Sequence, residues 1–474
     1  MIFSSLFFLS VFLPATILLY YLCPSGKRNY VLLLASVVFY AWGDARFLWV
    51  ILLSILINYT GALALSQLEK TAHRKLVLSL FIVLDLTPLL YFKYFNFVLD
   101  NLNDCFGFDF TIRKILLPLG ISFYTFQGLS YLVDVYRKNV AAQRNPFKIS
   151  LYIILFPQLI AGPILKYHDI EREIEKRNET VDHFIYGIRR FTLGLGKKVI
   201  LANSLGYIAD QIFSTPVELI GTPTAWGGAL AYSLQLFYDF SGYSDMAIGL
   251  GAMFGFHFME NFNDPYTSLS ITEFWRRWHI SLSTWFRDYL YIPLGGNRVS
   301  KGRNLFNLLV VFLATGIWHG AEWTFVIWGL FHGFLILFEK ISGFSKPGNS
   351  LFSRLLHRVY LLFMVMIAWV IFRSDSLHDS FLYLHNMFGL LETEPMHSVS
   401  FYYTNWGIFI SAVAILFATG MFRGLDEKTL LVKPDSDTQT YSFLLFNAFC
   451  LFVLFFSFVL LAGKTYNPFI YFRF

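Results

Sequence analysis

The sequence predicts an all-α polytopic membrane protein, and three observations support that fold class. Of the 474 residues, 56% are hydrophobic and only 14% are charged, which is more apolar side chain than a soluble core of this size would bury. The 54 Phe, 27 Tyr and 11 Trp suit a bilayer, because Tyr and Trp favour the headgroup region while Phe fills the hydrocarbon layer. Long apolar runs also alternate with short loops that collect Lys and Arg. Lipid is therefore expected to surround much of the chain.

Net charge and cysteine content argue against two other classes of protein. The net charge of +6 does not indicate a nucleic-acid partner, because the basic residues lie in separate loops and form no contiguous basic face. Cys23, Cys105 and Cys450 are widely spaced and include no CxxC pair, so the disulfide framework of small secreted domains is not expected. With no soluble domain or repeat visible, residues 1–474 are predicted to form a single transmembrane domain.

Each crossing of a hydrocarbon core about 30 Å thick needs roughly 20 mostly apolar residues in a helix. The first apolar run lacks a basic start and is followed by Lys27 and Arg28, so we interpret it as a span rather than a signal peptide. About 11 to 12 transmembrane helices are expected in all. The predicted spans are 2–22, 29–42, 46–66, 76–98, 115–136, 199–213, 225–249, 304–318, 323–338, 355–372, 401–421 and 441–462.

The basic residues also give an orientation, since Lys and Arg concentrate in cytoplasmic loops. The loops at 23–28, 67–75 and 137–148 carry positive charge on one side, whereas 99–114 carries Asp residues and has basic residues only at its end. Both termini are therefore predicted to face outward, away from the cytoplasm.

Two segments do not resemble crossings. Residues 151–165 are apolar but short, and Pro157, Gly162 and Pro163 interrupt them. We predict a re-entrant segment in which Gln158 lines a cavity, with a plain helix kink as the alternative. Residues 166–198 are rich in Lys and Arg and are predicted to form cytoplasmic interfacial helices, although charge that only sets the topology would look the same.

Polar clusters within apolar segments need a reason, because an ionised side chain at the bilayer centre costs about 2.5–3.5 kcal/mol. In the first cluster, 238–245, Asp239, Ser241 and Asp245 lie in an otherwise apolar span. These side chains either line a tunnel or fasten helices together, and the sequence favours neither.

The second cluster, 272–298, is dense in Arg, Trp and Tyr. This composition disfavours a lipid-facing crossing and favours a half-inserted or amphipathic helix, with Arg276, Arg277 and Arg298 near the inner headgroups. An interfacial anchor would look similar but does not require His279, which lies among Trp and Ser. An isolated histidine is nevertheless more often a hydrogen-bonded structural residue.

The third cluster, 316–323, places His319 directly after Trp318 at a break between two apolar runs, with glycines on both sides. Glycine permits close approach of another backbone or a ligand. A buried imidazole tends to stay neutral and can then take a proton from a hydroxyl. His319 is therefore the best catalytic candidate, and no metal site is expected, because neither histidine has a partner at ligand spacing.

Together these motifs resemble the membrane-bound O-acyltransferase (MBOAT) family, and in particular its bacterial branch that acetylates alginate. They occur in the order that the family shows, and the N-terminal spans also resemble it. The resemblance implies a helical bundle with re-entrant segments around a central funnel, with His319 at the constriction and His279 nearby. The motifs are at 156–163, 238–245, 273–298, 316–320 and 328–333.

The resemblance also implies a reaction. An acyl thioester, either acetyl-coenzyme A or an acyl carrier protein, would approach from the cytoplasm as a substrate, with no bound cofactor. His319 would act as general base for a hydroxyl, and His279 would orient a group or stabilise developing charge. The funnel and donor residues would be Trp318, Asp239, Ser241, Asp245, Gln158, Arg276, Arg277 and Arg298.

Within the branch, the implied acceptor is an exported polysaccharide, reached from the bacterial cytoplasmic membrane with a separate extracytoplasmic partner of the SGNH-hydrolase type. D-alanyl transfer to teichoic acid is the alternative within the family. A transporter or lipid flippase is the non-enzymatic alternative, because re-entrant segments and intramembrane charges also mark transport paths. An inverted repeat would favour transport, and none is visible.

Overall fold

The structure, a computed structural model, describes residues 1–112, 115–420, 437–463 and 466–468. In these residues every regular element is a helix, which confirms the all-α prediction. They form two units: Met1–Phe191 with Met246–Met259, and Thr192–Asp245 with the described residues from Glu260 onwards. Many Leu, Phe and Ile side chains are exposed on the helices, as expected where lipid rather than water covers the surface.

The amino-terminal part of the chain is a succession of α-helices. They are α1 (Leu13–Leu22), α2 (Arg28–Asp44), α3 (Leu48–Gln67), α4 (Thr71–Leu89), α5 (Phe95–Phe106), α6 (Ile121–Arg137), α7 (Pro146–Ile154), α8 (Phe156–Leu159), α9 (Tyr167–Glu175) and α10 (Val181–Gly196). Single π-helical turns at Phe8–Phe12 and Leu90–Tyr94 extend α1 and join α4 to α5. Short 3₁₀ turns at Ser25–Lys27 and Ala45–Phe47 connect the first three helices.

The carboxy-terminal part continues in the same way. Its α-helices are α11 (Asn203–Phe213), α12 (Thr222–Met253), α13 (Ile271–Arg277), α14 (Ile280–Phe286), α15 (Lys301–His319), α16 (Trp323–Ser342), α17 (Leu351–Arg373), α18 (Leu377–Met387), α19 (Val399–Tyr402), α20 (Asn405–Ala418) and α21 (Asp437–Gly463). A π-helical segment, Lys197–Ala202, connects α10 to α11, and another, Arg287–Tyr291, follows α14. Short 3₁₀ turns lie at Val217–Leu219 and Pro265–Thr267.

Most predicted spans coincide with these helices. Among the described residues, five stretches are long and apolar enough to cross a bilayer, and one of them, of 43 residues, contains the two predicted spans 29–42 and 46–66. The helices Phe8–Leu22 and Asn405–Ala418 are apolar but shorter. The chain is a multi-pass membrane protein. The five stretches are Ser25–Gln67, Thr71–Phe106, Trp323–Ser342, Leu351–Arg373 and Phe443–Gly463.

Two predicted spans have wrong boundaries. The span 115–136 becomes helical only at Ile121, because Gly120 before it adopts a left-handed conformation (φ +72°) that helix residues do not take. The span 401–421 is divided into α19 and α20, and Thr404 caps α20 by accepting a hydrogen bond from the N–H of Gly407 (3.3 Å); residue 421 lies outside the described residues. Hydrophobicity marks the apolar run, whereas turn and cap residues decide where its helix begins.

The segment 151–165 is not one kinked helix. Helix α7 ends at Ile154, Leu155 is non-helical, and Pro157 lies in the first turn of the short helix α8. Residues 151–167 are all buried, as non-helical backbone at membrane depth requires. The Tyr152 hydroxyl donates to the Leu165 carbonyl (2.9 Å) and ties the two ends of the segment together. That the segment is re-entrant stays a prediction.

Polar groups of the first unit pair with one another. The Ser54 hydroxyl and the Asn58 amide both donate to Oδ1 of Asp85, at 2.8 and 2.9 Å. Nδ1 of His168 donates to Oδ2 of Asp134 (2.8 Å), and this hydrogen bond raises the pKa of His168. It fastens α9 to α6. The basic segment 166–198 contains α9 and α10, and that these helices are cytoplasmic and interfacial stays a prediction.

Helices α15 and α16 approach each other at two glycines. A Cβ at Gly316 would lie 2.4 Å from the carbonyl oxygen of Phe325, and one at Gly329 would lie 2.4 Å from that of Phe312. Small residues allow membrane helices to approach this closely. The contact fixes the carboxy-terminal end of α15 against α16.

We predict that Gly329→Ala destabilises the protein, because the added methyl forces the two helices apart at a cost of about 1–3 kcal/mol. The midpoint of thermal unfolding in detergent should fall. Gly302→Ala in α15 is the matched control, since nothing lies within 4 Å of a Cβ there, and its midpoint should not fall. Equal midpoints for the two variants would contradict the tight contact.

Candidate active site

His319 is the last residue of α15, and Gly320 ends the helix with extended backbone. The imidazole packs edge-on against Trp328 of α16 and Phe372 of α17, with ring centroids 5.0 and 5.3 Å apart. The residue is 8% exposed. The predicted break at His319 is confirmed, and it places the imidazole at a helix end among aromatic rings.

His279 lies between the short helices α13 and α14 in a left-handed conformation (φ +46°) that residues other than glycine seldom adopt. Two backbone hydrogen bonds hold this turn: the N–H of Ile280 donates to the Asn261 carbonyl, and the N–H of Asn263 donates to the Arg277 carbonyl, both at 2.9 Å. His279 is only 1% exposed. A strained conformation persists where several contacts determine it, and such conformations cluster at functional sites.

The side chain of Asn261 connects His279 to its surroundings. Its Oδ1 lies 3.1 Å from Nδ1 of His279 and accepts hydrogen bonds from the N–H and the hydroxyl of Ser281, at 3.2 and 2.9 Å. Its Nδ2 donates to the hydroxyl of Ser244 (3.0 Å) in α12. One buried amide thus joins the polar cluster 238–245 to the histidine of the cluster 272–298.

The indole of Trp318 contacts both histidines. Its ring centroid is 6.0 Å from that of His279 and 5.0 Å from that of His319. Phe240 of α12 also packs edge-on against His279, at 4.6 Å. The structure therefore brings the two histidines, 40 positions apart in sequence, to the same aromatic side chain.

Helix α16 holds the segment that leads to His279. The carboxylate of Glu339 accepts hydrogen bonds from the N–H of Ile271 (2.6 Å) and from the N–H and hydroxyl of Thr272 (3.0 and 2.7 Å) at the start of α13. Two turns earlier on α16, Nδ1 of His332 accepts a hydrogen bond from the indole N–H of Trp275 (3.3 Å). Both α16 side chains are fully buried, so α13 is fixed by partners in the protein interior.

The carboxylates of the first cluster form ion pairs. Asp239 lies 2.5 Å from Nζ of Lys198, with both side chains at least 98% buried, and Asp245 lies 2.6 Å from Nζ of Lys197. Gly242, midway between the two aspartates, permits this arrangement, because a Cβ there would lie 2.7 Å from the Gly194 carbonyl oxygen. These ion pairs give a physical basis for one of the two alternatives, that the carboxylates fasten helices together.

The remaining predicted funnel residues have different surroundings. Ser241 is buried, and its hydroxyl has no hydrogen-bond partner in the described part of the chain. Gln158 lies in the first unit, where its Nε2 donates to the Tyr152 carbonyl (2.6 Å). Arg276 and Arg298 are exposed, whereas Arg277 pairs with Glu273 (2.8 Å). Two of the three arginines are therefore available to a charged ligand.

Sequence reasoning missed Asn261 and Glu339 as supports of this site. Asn261 falls in a polar stretch between two predicted segments, where an amide is unremarkable as a loop residue. Glu339 follows an apolar run directly and looks like the end of a span, yet it lies inside α16, which continues to Ser342. The sequence signal that could have identified Glu339 is a carboxylate next to a strongly apolar run, because such a charge needs a partner inside the protein.

Comparison with known proteins identifies the family of the chain. The sequence profile of the membrane-bound O-acyltransferase family matches residues 37–378, which include both histidines and Asn261. The chain belongs to the membrane-bound O-acyltransferase family. It is 48% identical over 382 residues to the probable alginate O-acetylase AlgI of Azotobacter vinelandii, covering 80% of this chain and 76% of that protein.

Two further relatives extend the similarity. The chain is 41% identical to the probable alginate O-acetylase AlgI of Pseudomonas putida along the whole length of both proteins. It is 37% identical to the peptidoglycan O-acetyltransferase of Helicobacter pylori, covering 82% of this chain and 80% of that protein. Membership of the membrane-bound O-acyltransferase family makes this chain an O-acyltransferase, and the predicted family is confirmed.

We predict that Asp239→Ala destabilises the protein by about 3–5 kcal/mol, because the buried Lys198 ammonium loses its counter-charge. The double variant Asp239→Leu with Lys198→Met should recover much of the loss in thermal unfolding. Asp44→Ala, which removes an exposed pair with Arg46, is the control and should change stability by about 1 kcal/mol or less. A double variant no more stable than Asp239→Ala would contradict fastening by this ion pair.

Proposed function

We propose that the protein transfers an acetyl group from a cytoplasmic thioester to a hydroxyl of an exported polysaccharide. The thioester, acetyl-coenzyme A or an acetylated carrier protein, is a substrate rather than a resident cofactor. The polysaccharide is modified outside the cytoplasmic membrane, with an extracytoplasmic partner of the SGNH-hydrolase type. The observation that carries the proposal is the pair of buried histidines that both contact Trp318 in a membrane-bound O-acyltransferase.

In the proposed reaction, His319 takes the proton of the attacking hydroxyl while its oxygen bonds to the thioester carbonyl carbon. The carbon–sulfur bond then breaks, and the thiolate leaves and receives the proton. The aromatic rings around His319 favour this role, because an uncharged imidazole is the form that accepts a proton. Desolvation by the same rings would strengthen each electrostatic contact to the reacting carbonyl.

The acyl group is the acetyl group on the strength of the named relatives, which are O-acetylases and an O-acetyltransferase. D-alanyl transfer remains the alternative within the family. A transporter that catalyses no reaction does not require two histidines beside one indole, whereas an acyltransferase uses them in the reaction. The exposed Arg276 and Arg298 favour docking of a phosphate-bearing donor such as coenzyme A.

His319→Ala should abolish measurable acetyl transfer, since loss of a general base costs about 10²–10⁴-fold in rate. The assay follows radiolabelled acetyl from acetyl-coenzyme A into alginate oligosaccharide, using membranes that contain equal amounts of each variant and the partner. Glu322→Gln, three residues away at the start of α16, is the control and should retain most activity. Full activity of His319→Ala, or an equal loss in the control, would contradict the assignment of the base.

The proposed orientation places the loop 99–114 outside the cytoplasm. Cys105 is exposed at the end of α5, so a membrane-impermeant maleimide should label it in intact spheroplasts. In a Cys105→Ser background, Lys70→Cys at an exposed position should be labelled only after permeabilisation. The reverse labelling pattern would invert the topology and the side from which the thioester arrives.

A further inference from the structure

The hydrogen bonds of Asn261 determine which nitrogen of His279 carries the proton. The backbone N–H of Ser281 can only donate, so the Asn261 atom 3.2 Å from it must be the amide oxygen. The same oxygen lies 3.1 Å from Nδ1 of His279. An amide oxygen only accepts, and therefore Nδ1 of His279 is the donor.

The Ser281 hydroxyl does not change this assignment. It lies 3.4 Å from Nδ1 of His279, but its single proton is directed to the Asn261 oxygen at the shorter distance of 2.9 Å. A neutral imidazole carries one proton. With that proton on Nδ1, Nε2 of His279 presents a lone pair.

Nε2 of His279 is buried and has no hydrogen-bond partner among the residues that the structure describes. Buried polar atoms are rarely left in this state, and exceptions often belong to functional groups. The rings of Phe240 and Trp318 pack against the imidazole. The lone pair suits an O–H or N–H donor and does not suit the oxygen of a developing anion.

We propose that Asn261 is a positioning residue that holds His279 as a hydrogen-bond acceptor for a substrate O–H or N–H group. The inference rests on the proposed acyl transfer and selects between the two roles expected for His279, orienting a group rather than stabilising negative charge. Because His319 takes the proton of the attacking hydroxyl, the group bound by His279 is a different one. It is a second hydroxyl of the acceptor sugar or an amide N–H of the pantetheine arm that carries the thioester.

Other charged groups lie on the elements that pack against His279. Helix α12 contributes Asp239 and Asp245, each paired with a lysine, and α15 contributes His319 beyond Trp318. On its own segment, Arg277 pairs with Glu273, and the other charged side chains are Arg276, Arg287 and Asp288. The Asn261 oxygen lies nearer to Nδ1 of His279 (3.1 Å) than the Ser281 hydroxyl does (3.4 Å), so replacement of Asn261 changes the tautomer directly.

The first test measures the tautomer itself. Wild-type protein labelled with ¹⁵N-histidine is reconstituted in nanodiscs, and its nitrogen spectrum is compared with that of His279→Gln to assign the His279 signals. Nε2 should show the shift of an unprotonated nitrogen and Nδ1 that of a protonated one at neutral pH. The opposite pattern would overturn the inference, whatever the activity of the protein.

The second test uses Asn261→Leu and Asn261→Asp with acetyl-coenzyme A and alginate oligosaccharide as probes. Asn261→Leu should lower kcat/KM about 10–100-fold, by analogy with the loss found when the hydrogen-bond partner of a metal-bound histidine is replaced. Asn261→Asp keeps the acceptor oxygen and should restore much of kcat/KM. Its carboxylate favours imidazolium, so the acid limb of the pH profile should move to higher pH.

Separate KM values identify the bound group: a higher KM for the oligosaccharide indicates the sugar hydroxyl, and a higher KM for acetyl-coenzyme A indicates the pantetheine amide. Asn386→Leu is the matched control, because Asn386 is also fully buried and donates to the carbonyls of Val217 and Ile220. It should lower stability without moving the acid limb.

An Asn261→Leu variant with the kcat/KM of the control, or an unmoved acid limb in Asn261→Asp, would overturn the inference. The proposed function fails separately, if wild-type protein transfers no acetyl group or His319→Ala keeps full activity.

Discussion

The structure depends on one constraint: polar groups buried among apolar side chains must find their partners within the protein. Glu339 meets this constraint by capping α13, and Asp239 meets it by pairing with Lys198. Asn261 meets it through three neighbours at once. Each partnership joins elements that are distant in the chain, so the need to satisfy polar groups also decides where the functional segments lie.

This constraint explains why the sequence predicted the helices better than the site. Apolar runs and the basic loops between them are local signals, and most of the predicted spans coincide with helices. The break at His319 was also predictable, because glycines interrupt the apolar pattern on both sides of it. The errors fell at Gly120, whose left-handed backbone precedes α6, and at Thr404, whose side chain caps α20. The average hydrophobicity of a segment detects neither feature.

The supports of the candidate site were not predictable, because their partners are remote in sequence. Asn261 lies 18 residues before His279, and Glu339 lies 68 residues after Ile271. A single asparagine or glutamate has many ordinary roles, and no spacing rule relates it to a residue on another element. The sequence also left open whether Asp239 and Asp245 line a tunnel or fasten helices together. Only the tertiary structure shows that a lysine lies opposite each carboxylate.

The position of Trp318 limits how a proton can move in the proposed reaction. Its indole contacts both imidazoles, and an indole has a single N–H donor and no acceptor nitrogen, so it does not relay protons. A proton taken by His319 therefore does not pass to His279 through this ring. On the proposed mechanism, the proton returns to the departing thiolate from His319 itself, which acts first as base and then as acid. That division leaves His279 free to stay neutral throughout turnover, and in the neutral ring the hydrogen bond to Asn261 keeps the proton on Nδ1.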